Sequence, residues 1–212
     1  YWDWLHRIGI NVTPYTDLPG AVAGQLKSKE DFVSKPIELA TASYGQGFSL
    51  TPLKLAQLHA LIANGGYLVR PRITRGLQSG DTLLPPNDPS RNKILKTEVT
   101  QKVLSWMESV VDEGSGIGVK TSGFRIGGKT GTAEKAIRGS YQSGVKICSF
   151  VAAFPIDKPK YVVLVVVDEP KGGNAYGSTV AVPIVKKIID GLLVLEKIPP
   201  VNAIRDLLPS KG

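Results

Sequence analysis

Three stretches of the chain place apolar residues at helical spacing between recognisable helix boundaries. Thr51 is a favourable N-cap, and Pro52 fits the first helical position, where its missing N–H leaves no bond unmade. This helix has broad apolar faces, so we expect it to be largely buried. Further helices are predicted from Thr97 to Gly114 and over residues 178–195. The inner faces predicted for these two helices are Val99, Val103, Met107, Val110 and Val111, and Val182, Val185, Ile188, Ile189 and Leu192.

Three other stretches have the pattern of β-strands joined by short connections. Residues 125–134 form a glycine-rich extended segment, and residues 145–154 and 160–168 form two apolar strands. A polar loop over residues 135–144 and a proline-containing turn are expected to separate them. Strands joined in this way form an antiparallel meander. The sequence therefore predicts an α+β fold, an antiparallel sheet flanked by helices.

The remaining segments carry weaker patterns. Residues 1–8 predict the end of a helix that Gly9 closes, and residues 31–48 and 80–92 read as surface loops. We predict one folded portion over residues 1–198, followed by a loosely structured tail over residues 199–212.

Composition describes an ordinary globular chain with a basic surface. Of its 212 residues, 42% are hydrophobic and 21% charged, and the net charge is +8. The basic residues are scattered, and no zinc-finger or RNA-binding signature is present, which argues against nucleic acid as a partner. A diffuse positive surface suits anionic lipid or a cell-wall polymer at least as well. No apolar run approaches the ~20 residues of a transmembrane helix, and no signal-peptide pattern opens the chain. A chain taken from a longer parent protein would show the same pattern, so these observations are compatible with a membrane anchor in the parent.

Cysteine and histidine are too few to build a disulfide or a metal site. Cys148 is the single cysteine, and we expect a buried strand residue without a redox role. His6 and His59 lie far apart with no ligand spacing between them, so we expect no metal and no cofactor. His59 falls in the helix that begins at Pro52, where a core or hydrogen-bonded histidine is a better interpretation than a catalytic base.

The candidate chemistry lies in the glycine-rich strand. Alternate residues of a strand share a face, so Lys129 and Gly131 are expected to point one way and Thr130 and Thr132 the other. Such a strand edge offers a cation, hydroxyls and bare backbone N–H groups to an anionic substrate. Lys-Thr-Gly is also one of the three motifs of the serine penicillin-binding and β-lactamase class. The competing interpretation is a hairpin strand with a solvated lysine, and three residues alone do not separate the two.

Several segments, in one consistent order, resemble class B penicillin-binding proteins. The segment that resembles the family's third motif is residues 128–134. The segments that resemble the stretch before that motif and the strands and last helix after it are residues 44–47, 50–56, 63–66, 150–155, 163–168 and 176–183. The similarity covers nearly the whole chain. Residues 42–47 resemble the division-specific peptidoglycan transpeptidase most, with the elongation-specific relative as the alternative.

The resemblance implies a penicillin-binding/β-lactamase-like transpeptidase fold, here without its N-terminal part. It implies a serine D,D-transpeptidase that cross-links peptidoglycan stem peptides, and covalent binding of β-lactams through a serine upstream of this chain. It also implies an extracytoplasmic (periplasmic) location, a parent protein anchored in the cytoplasmic membrane, and a division or elongation glycosyltransferase complex as partner. It implies no cofactor and no nucleic acid.

The same resemblance implies roles for individual residues. Lys129 supplies positive potential and helps to hold the serine of the second motif. Thr130 or Thr132 bonds the substrate carboxylate, with Thr132 favoured, and the Thr132 N–H is one of two oxyanion donors. Gly131 keeps the strand edge free of a Cβ. Tyr176 forms an aromatic wall of the cleft, or alternatively packs in the core.

The nucleophile motif is the one departure from the family pattern. Two strings fit Ser-x-x-Lys, at Ser90 and at Ser143, and the first also contains Ser-x-Asn. Neither is predicted to start a helix, which the motif needs so that Ser and Lys share a face, and we interpret both as chance matches. We therefore expect the C-terminal half to two-thirds of a transpeptidase domain, inert unless an N-terminal chain complements it. Two other functions are considered: a β-lactam sensor or serine β-lactamase of the same fold, and a non-catalytic cell-wall scaffold.

Overall fold

The computed structural model describes residues 1–84, 92–137 and 140–201. The chain divides into two compact units, Tyr1–Thr97 and Glu98–Gly212. In the described residues the helices are α1 Trp2–Arg7, α2 Lys29–Ser34, α3 Pro36–Ala42, α4 Pro52–Ala63, α5 Thr97–Asp112 and α6 Val182–Leu195. The strands there are β1 Tyr67–Leu68, β2 Leu77–Ser79, β3 Thr82–Leu84, β4 Asn92–Lys93, β5 Gly127–Ile137, β6 Ser140–Phe154 and β7 Tyr161–Asp168. The predicted class, helices with antiparallel sheets, is confirmed.

The N-terminal unit, Tyr1–Thr97, packs short helices around a small core. Its buried apolar residues are Leu5, Ile10, Phe32 and Ala42. The predicted loop over residues 31–48 is wrong in part, because α2 and α3 lie there. Ser28 caps α2 by accepting the Asp31 N–H, and Phe32 and Ala42 anchor the two helices in the core. Helices this short depend on tertiary packing, and their apolar pattern is too brief to read in the sequence.

Helix α4 begins as predicted, but only one of its buried residues, Leu61, comes from the apolar faces expected to be buried. The Thr51 hydroxyl accepts the Lys54 N–H at 3.2 Å. The buried residues of α4 are Lys54, Gln57 and Leu61, whereas most of its apolar residues are half-buried. A charged residue, Lys54, and a polar residue, Gln57, are thus buried where the sequence pattern predicts apolar side chains.

Two small antiparallel pairs complete this unit: β1 with β4, and β2 with β3. The predicted loop over residues 80–92 is therefore wrong at its ends, which are strands. Residues 85–91, which include Ser90, lie outside the described residues.

The C-terminal unit, from Glu98 onward, is built on a three-stranded antiparallel sheet in the order β5-β6-β7. Gly131 pairs with Ser149, and Phe150 pairs with Val165 across the other ladder. The predicted meander is confirmed. The predicted loop over residues 135–144 is wrong, since β5 and β6 continue through most of it as one long hairpin.

Helix α6 and a 3₁₀ turn, Ile117–Val119, pack against this sheet over its main core. The buried residues of that core are Val111, Val119, Ile126, Phe150, Ala152, Phe154, Ala181, Val182, Val185, Ile189, Leu193 and Ile198. Ile188, predicted to face inward, is 39% exposed, and Leu193 takes an inward position instead.

The buried stripe of α5 agrees with the prediction at Met107 and Val111 and differs from it in the first turns of the helix. Val99 is exposed, and the buried positions are Thr100, Leu104, Met107 and Val111. The run of β-branched residues on α5 allows two adjacent stripes, and packing selects one of them.

None of the helices in the described residues has the length and apolar character needed to cross a bilayer. The Val201 N–H donates to the Gly123 carbonyl at 2.7 Å, so the chain is still bonded three residues into the predicted tail. The rest of that tail, residues 202–212, lies outside the described residues.

Candidate active site

Strand β5 lies directly against the core because its first residues have no side chain. A Cβ built at Gly127 would lie 2.5 Å from Ile156 Cδ1, and one at Gly128 would lie 2.3 Å from Phe150 Cζ. Both distances are shorter than the contacts that real Cβ atoms make. A residue larger than glycine at either position would therefore require β5 or the neighbouring side chain to move. The two glycines therefore position the Lys-Thr-Gly segment that follows them.

The alternation predicted for this segment agrees with its side-chain contacts. Thr130 Oγ1 lies 2.8 Å from Ser115 Oγ, and Thr132 Oγ1 accepts the Gly177 N–H at 3.1 Å. Both partners belong to segments that pack on the α6 side of the sheet, so the two threonines share that face. A Cβ at Gly131 would instead meet Ser149 Oγ at 2.5 Å.

The backbone of the motif faces the free edge of the sheet. Lys129 Nζ donates to the Thr130 carbonyl at 2.7 Å, and the Arg125 carbonyl, five residues earlier, accepts the Ile156 N–H on the β6 side. N–H and C=O of one strand residue point to the same side, and residues two apart share that side. The N–H of Thr132 therefore points to the same outer edge as the Thr130 carbonyl. Lys129 and Thr132 are exposed there.

The turn that precedes α6 sits on the motif's backbone. A Cβ at Gly177 would lie 2.4 Å from the Ser149 carbonyl oxygen and 2.8 Å from the Gly131 carbonyl oxygen. Only glycine allows this approach, which brings the Gly177 N–H to the Thr132 hydroxyl. That hydroxyl oxygen therefore accepts a hydrogen bond from the backbone of the turn, which positions the Thr132 side chain.

Tyr176 stands beside this turn and is 46% exposed as a residue, so the interpretation of Tyr176 as a core residue is wrong. Lys146 Nζ lies 4.3 Å from the ring centroid and 3.4 Å from the Ala175 carbonyl oxygen. A cation over a tyrosine ring at this distance stabilises its orientation. The Thr179 hydroxyl accepts the Tyr176 N–H at 3.0 Å.

Three residues of this arrangement were not predicted: Ser115, Lys146 and Gly177. Ser115 lies in the loop rich in Gly and Ser that leads into β5. Its closeness to β5 along the sequence is the signal that could have pointed to it. Lys146 and Gly177 reach the motif only through the β6 register and the turn before α6, which no local pattern reveals.

The other residues considered from the sequence are His59, Cys148 and Ser143. His59 Nδ1 is 2.9 Å from the Leu55 carbonyl oxygen, a local contact within α4. Cys148 is fully buried, and this burial raises the pKa of its thiol. Ser143 falls within strand β6 rather than at a helix start. In the part of the chain that the structure describes, no group of three His, Cys, Asp or Glu residues could hold a metal ion.

Comparison with known proteins decides the family. The domain described as "Penicillin binding protein transpeptidase domain" matches residues 1–190. The chain belongs to this family. The predicted identity, the C-terminal part of a division-type class B penicillin-binding protein transpeptidase domain, is confirmed.

Individual members of the family agree with this. A "Peptidoglycan D,D-transpeptidase FtsI homolog" of Mesostigma viride is 40% identical over 217 residues, covering 94% of this chain and 36% of that protein. The transpeptidase domain of Burkholderia pseudomallei penicillin-binding protein 3 superposes with a TM-score of 0.78 at 33% identity, covering 94% of this chain and 58% of that one. Penicillin-binding protein 3 of Mycobacterium tuberculosis, solved in complex with aztreonam, gives a TM-score of 0.84 at 26% identity, covering 94% of this chain and 47% of that one. The chain thus spans about a third of the length of the Mesostigma relative.

Proposed function

We propose that the protein to which this chain belongs is a peptidoglycan D,D-transpeptidase that cross-links stem peptides during cell division. The printed name of the Mesostigma relative supports the activity. The observation that carries the proposal is the exposed edge of β5, which offers the Lys129 ammonium and a Thr132 hydroxyl that accepts the Gly177 N–H. A hairpin strand with a purely structural role does not require a cation and an oriented hydroxyl at the exposed edge of the sheet.

In this proposal Thr132 bonds the terminal carboxylate of the stem peptide. Its oxygen accepts the Gly177 N–H, which positions the hydroxyl, and in the substrate complex the hydroxyl donates its proton to the carboxylate. Thr130, whose hydroxyl is already 2.8 Å from Ser115 Oγ, takes the supporting role. Lys129 adds the positive potential that draws the carboxylate in and helps to hold the serine of the second motif.

The outward N–H of Thr132 serves as one oxyanion donor when the acyl carbonyl is attacked. Gly131, without a Cβ, leaves that edge open to the peptide. Removal of one such donor typically costs about 10²–10³ in rate. The exposed Tyr176 ring, stacked on the Lys146 ammonium, forms an aromatic wall beside this edge.

The nucleophilic serine, in this proposal, lies in a part of the protein that this sequence does not contain. Ser143 lies on a strand, and Ser90 lies outside the described residues, so no Ser-x-x-Lys begins a described helix. The attack would form an acyl-enzyme, which the amine of a neighbouring stem peptide resolves. β-Lactams would acylate the same serine, as the aztreonam complex of the Mycobacterium protein suggests.

The experiment is labelling of the full gene product, and of this 212-residue chain alone, with a fluorescent penicillin. We expect one adduct on a serine outside residues 1–212 of the full product, and none on the chain alone. An adduct at Ser90 or Ser143 would overturn the placement of the nucleophile. An unlabelled full product would overturn the activity, and rapid hydrolysis of a chromogenic cephalosporin would identify a β-lactamase instead.

A second arm tests the role of Thr132 in the full product. Thr132→Val removes the hydroxyl and keeps the shape, so we expect acylation to slow by about 10- to 100-fold, as for the loss of a hydrogen bond to a charged group. Thr82→Val makes the same change at an exposed strand residue of the N-terminal unit and is expected to leave the rate unchanged.

Location and partners follow from the proposed substrate. Peptidoglycan is outside the cytoplasmic membrane, so we propose an extracytoplasmic catalytic domain on a membrane-anchored protein, next to a glycosyltransferase that supplies glycan strands. Labelling of intact cells by a penicillin that does not enter the cytoplasm tests the location. Absence of labelling in intact cells, with labelling in lysates, would contradict it.

A further inference from the structure

The N-terminal unit contains a cavity that the proposed transpeptidase chemistry does not use. Its volume is about 550 Å³, and all of its lining residues belong to that unit. Cationic side chains converge on it: Arg7, Lys54, Arg70 and Arg72, with His6 at its border. Among the described residues that line it, none is acidic. A concave site with several positive charges and no carboxylate favours an anionic ligand.

Lys54 is the most unusual of these residues. It lies in the first turn of α4 and is only 2% exposed. Its ammonium makes no hydrogen bond or ion pair within the described residues, and burial lowers the pKa of this lysine. The positive end of the α4 dipole disfavours a cation at this position as well. An unpaired buried ammonium is costly, so its presence indicates that a counter-charge enters the cavity.

Arg70 also carries a buried donor without a partner among the described residues. Its guanidinium stacks on the Tyr15 ring, 3.9 Å from the ring centroid, which fixes the plane of its donors. Its Nε is buried and has no partner in the described part of the chain. A guanidinium fork held in one plane matches two oxygens of a phosphate or carboxylate. Arg7, stacked on Trp4 at 4.9 Å, lines the same cavity.

We propose that this cavity binds a phosphoryl group carried by a small organic molecule, with Lys54 and Arg70 as its principal ligands. Several converging cations call for more than the single charge of a carboxylate. The cavity volume is within the range of small-molecule sites, and larger than a bare phosphate requires. Val12, Leu68 and Ile94 provide apolar surface for the organic part. This site is formed by residues of the N-terminal unit alone, and it does not depend on the transpeptidase proposal.

Isothermal titration of the 212-residue chain with glucose 1-phosphate, inorganic phosphate, acetate and glucose tests the proposal. We expect saturable binding of the two phosphates, tighter for the sugar phosphate, and none of acetate or glucose. Sedimentation with phosphatidylglycerol vesicles separates a lipid source from a soluble one. Binding to vesicles without binding of glucose 1-phosphate would indicate a diffuse surface effect and overturn the cavity site.

Lys54→Met removes the charge and keeps the length of the side chain. We expect it to weaken phosphate binding by about 10- to 100-fold, as for loss of a charged hydrogen bond. Lys96→Met, an exposed lysine of the same unit that does not line the cavity, is the matched control and should bind as the unmodified chain does. Arg70→Leu provides a second test of phosphate binding if Lys54→Met fails to fold. Phosphate binding that survives both substitutions overturns the proposal, as does the absence of binding to the unmodified chain.

Discussion

The N-terminal and C-terminal units bury different kinds of residue. Behind β5, the main buried cluster described in the C-terminal unit is formed by apolar residues, and glycines bring strand and turn to distances that a Cβ would forbid. The buried cluster described in the N-terminal unit is smaller and contains Leu5, Ile10, Phe32 and Ala42. Close to it, Lys54 and Gln57 are buried, and Gln57 Oε1 has no partner among the described residues.

This difference shows two ways in which a fold supports a binding surface. In the C-terminal unit, close packing fixes a strand whose open edge displays functional groups, so the surface is separate from the core. In the N-terminal unit, Lys54 and the Nε of Arg70 are themselves buried and have no partner among the described residues. Such groups lower stability until a ligand pairs them. Substitutions should therefore have opposite consequences in the two units.

The largest effect is expected for Phe150→Ala in the C-terminal core. Phe150 is fully buried, and its ring lies against Gly116 and Gly128. Loss of such a ring costs about 3–5 kcal/mol in the free energy of unfolding. Urea unfolding followed by circular dichroism measures it. Phe32→Ala, in the smaller core, should cost less, and an equal loss would remove the contrast between the two cores.

Gly177→Ala tests the close contact between the turn and β5. The added Cβ meets backbone oxygens of Ser149 and Gly131, which cannot rotate away, so we expect a loss of about 1–3 kcal/mol. The same shift should displace the donor to Thr132 and slow acylation of the full gene product. Gly173→Ala, which meets nothing within 4 Å, is the control. If both variants unfold alike, the contact is not a constraint.

Lys54→Met should act in the opposite direction and stabilise the N-terminal unit, by about 1–2 kcal/mol in phosphate-free buffer at neutral pH. A lysine whose pKa is lowered in the folded state destabilises it most when charged, so stability of the unmodified chain rises as pH passes from that lowered pKa through the unfolded value of about 10.4. The gain from Lys54→Met should therefore shrink at high pH. Leu61→Met, a buried apolar change in the same helix, should give a small loss instead. Destabilisation by Lys54→Met would contradict the view of Lys54 as unpaired.

The smallest effect concerns a loop contact of the N-terminal unit. The Thr74 hydroxyl and the Ile73 N–H donate to Asp17 and lower the pKa of its carboxyl to about 2. This carboxylate contributes stability above its unfolded pKa of about 3.9, and the contribution is lost as pH falls to about 2.

Asp17→Asn should therefore flatten the fall in melting temperature between pH 5 and pH 2, most of all near the lower end. Melting temperatures of both proteins over that range measure it. Asp81→Asn, at an exposed position with no hydrogen bond to its carboxylate in the described residues, should leave the profile unchanged. A profile of Asp17→Asn as steep as that of the unmodified chain would show that the contact is not maintained in solution.

Sequence reasoning was strongest where the signal is local. The cap at Thr51, the start of α5 at Thr97 and the meander of β5, β6 and β7 are encoded in neighbouring residues, and the structure confirms them. It failed for α2 and α3, which are too short to show a period, and for the first turns of α5, where Thr100 and Leu104 are buried in place of Val99 and Val103. The site was predicted only as far as residues 129–132 and Tyr176, because these lie in motifs.

The sequence by itself determined the family and the strand that carries the Lys-Thr-Gly motif, because caps, strand alternation and motif spacing act over a few residues. Only the tertiary structure decided which distant groups meet that strand. Ser115, Gly177 and Lys146 contact Thr130, Thr132 and Tyr176 through register and packing between segments far apart in the chain. It also placed Lys54 in a cavity among arginines. Burial of a charge depends on what surrounds it in space, and a helix pattern does not contain that information.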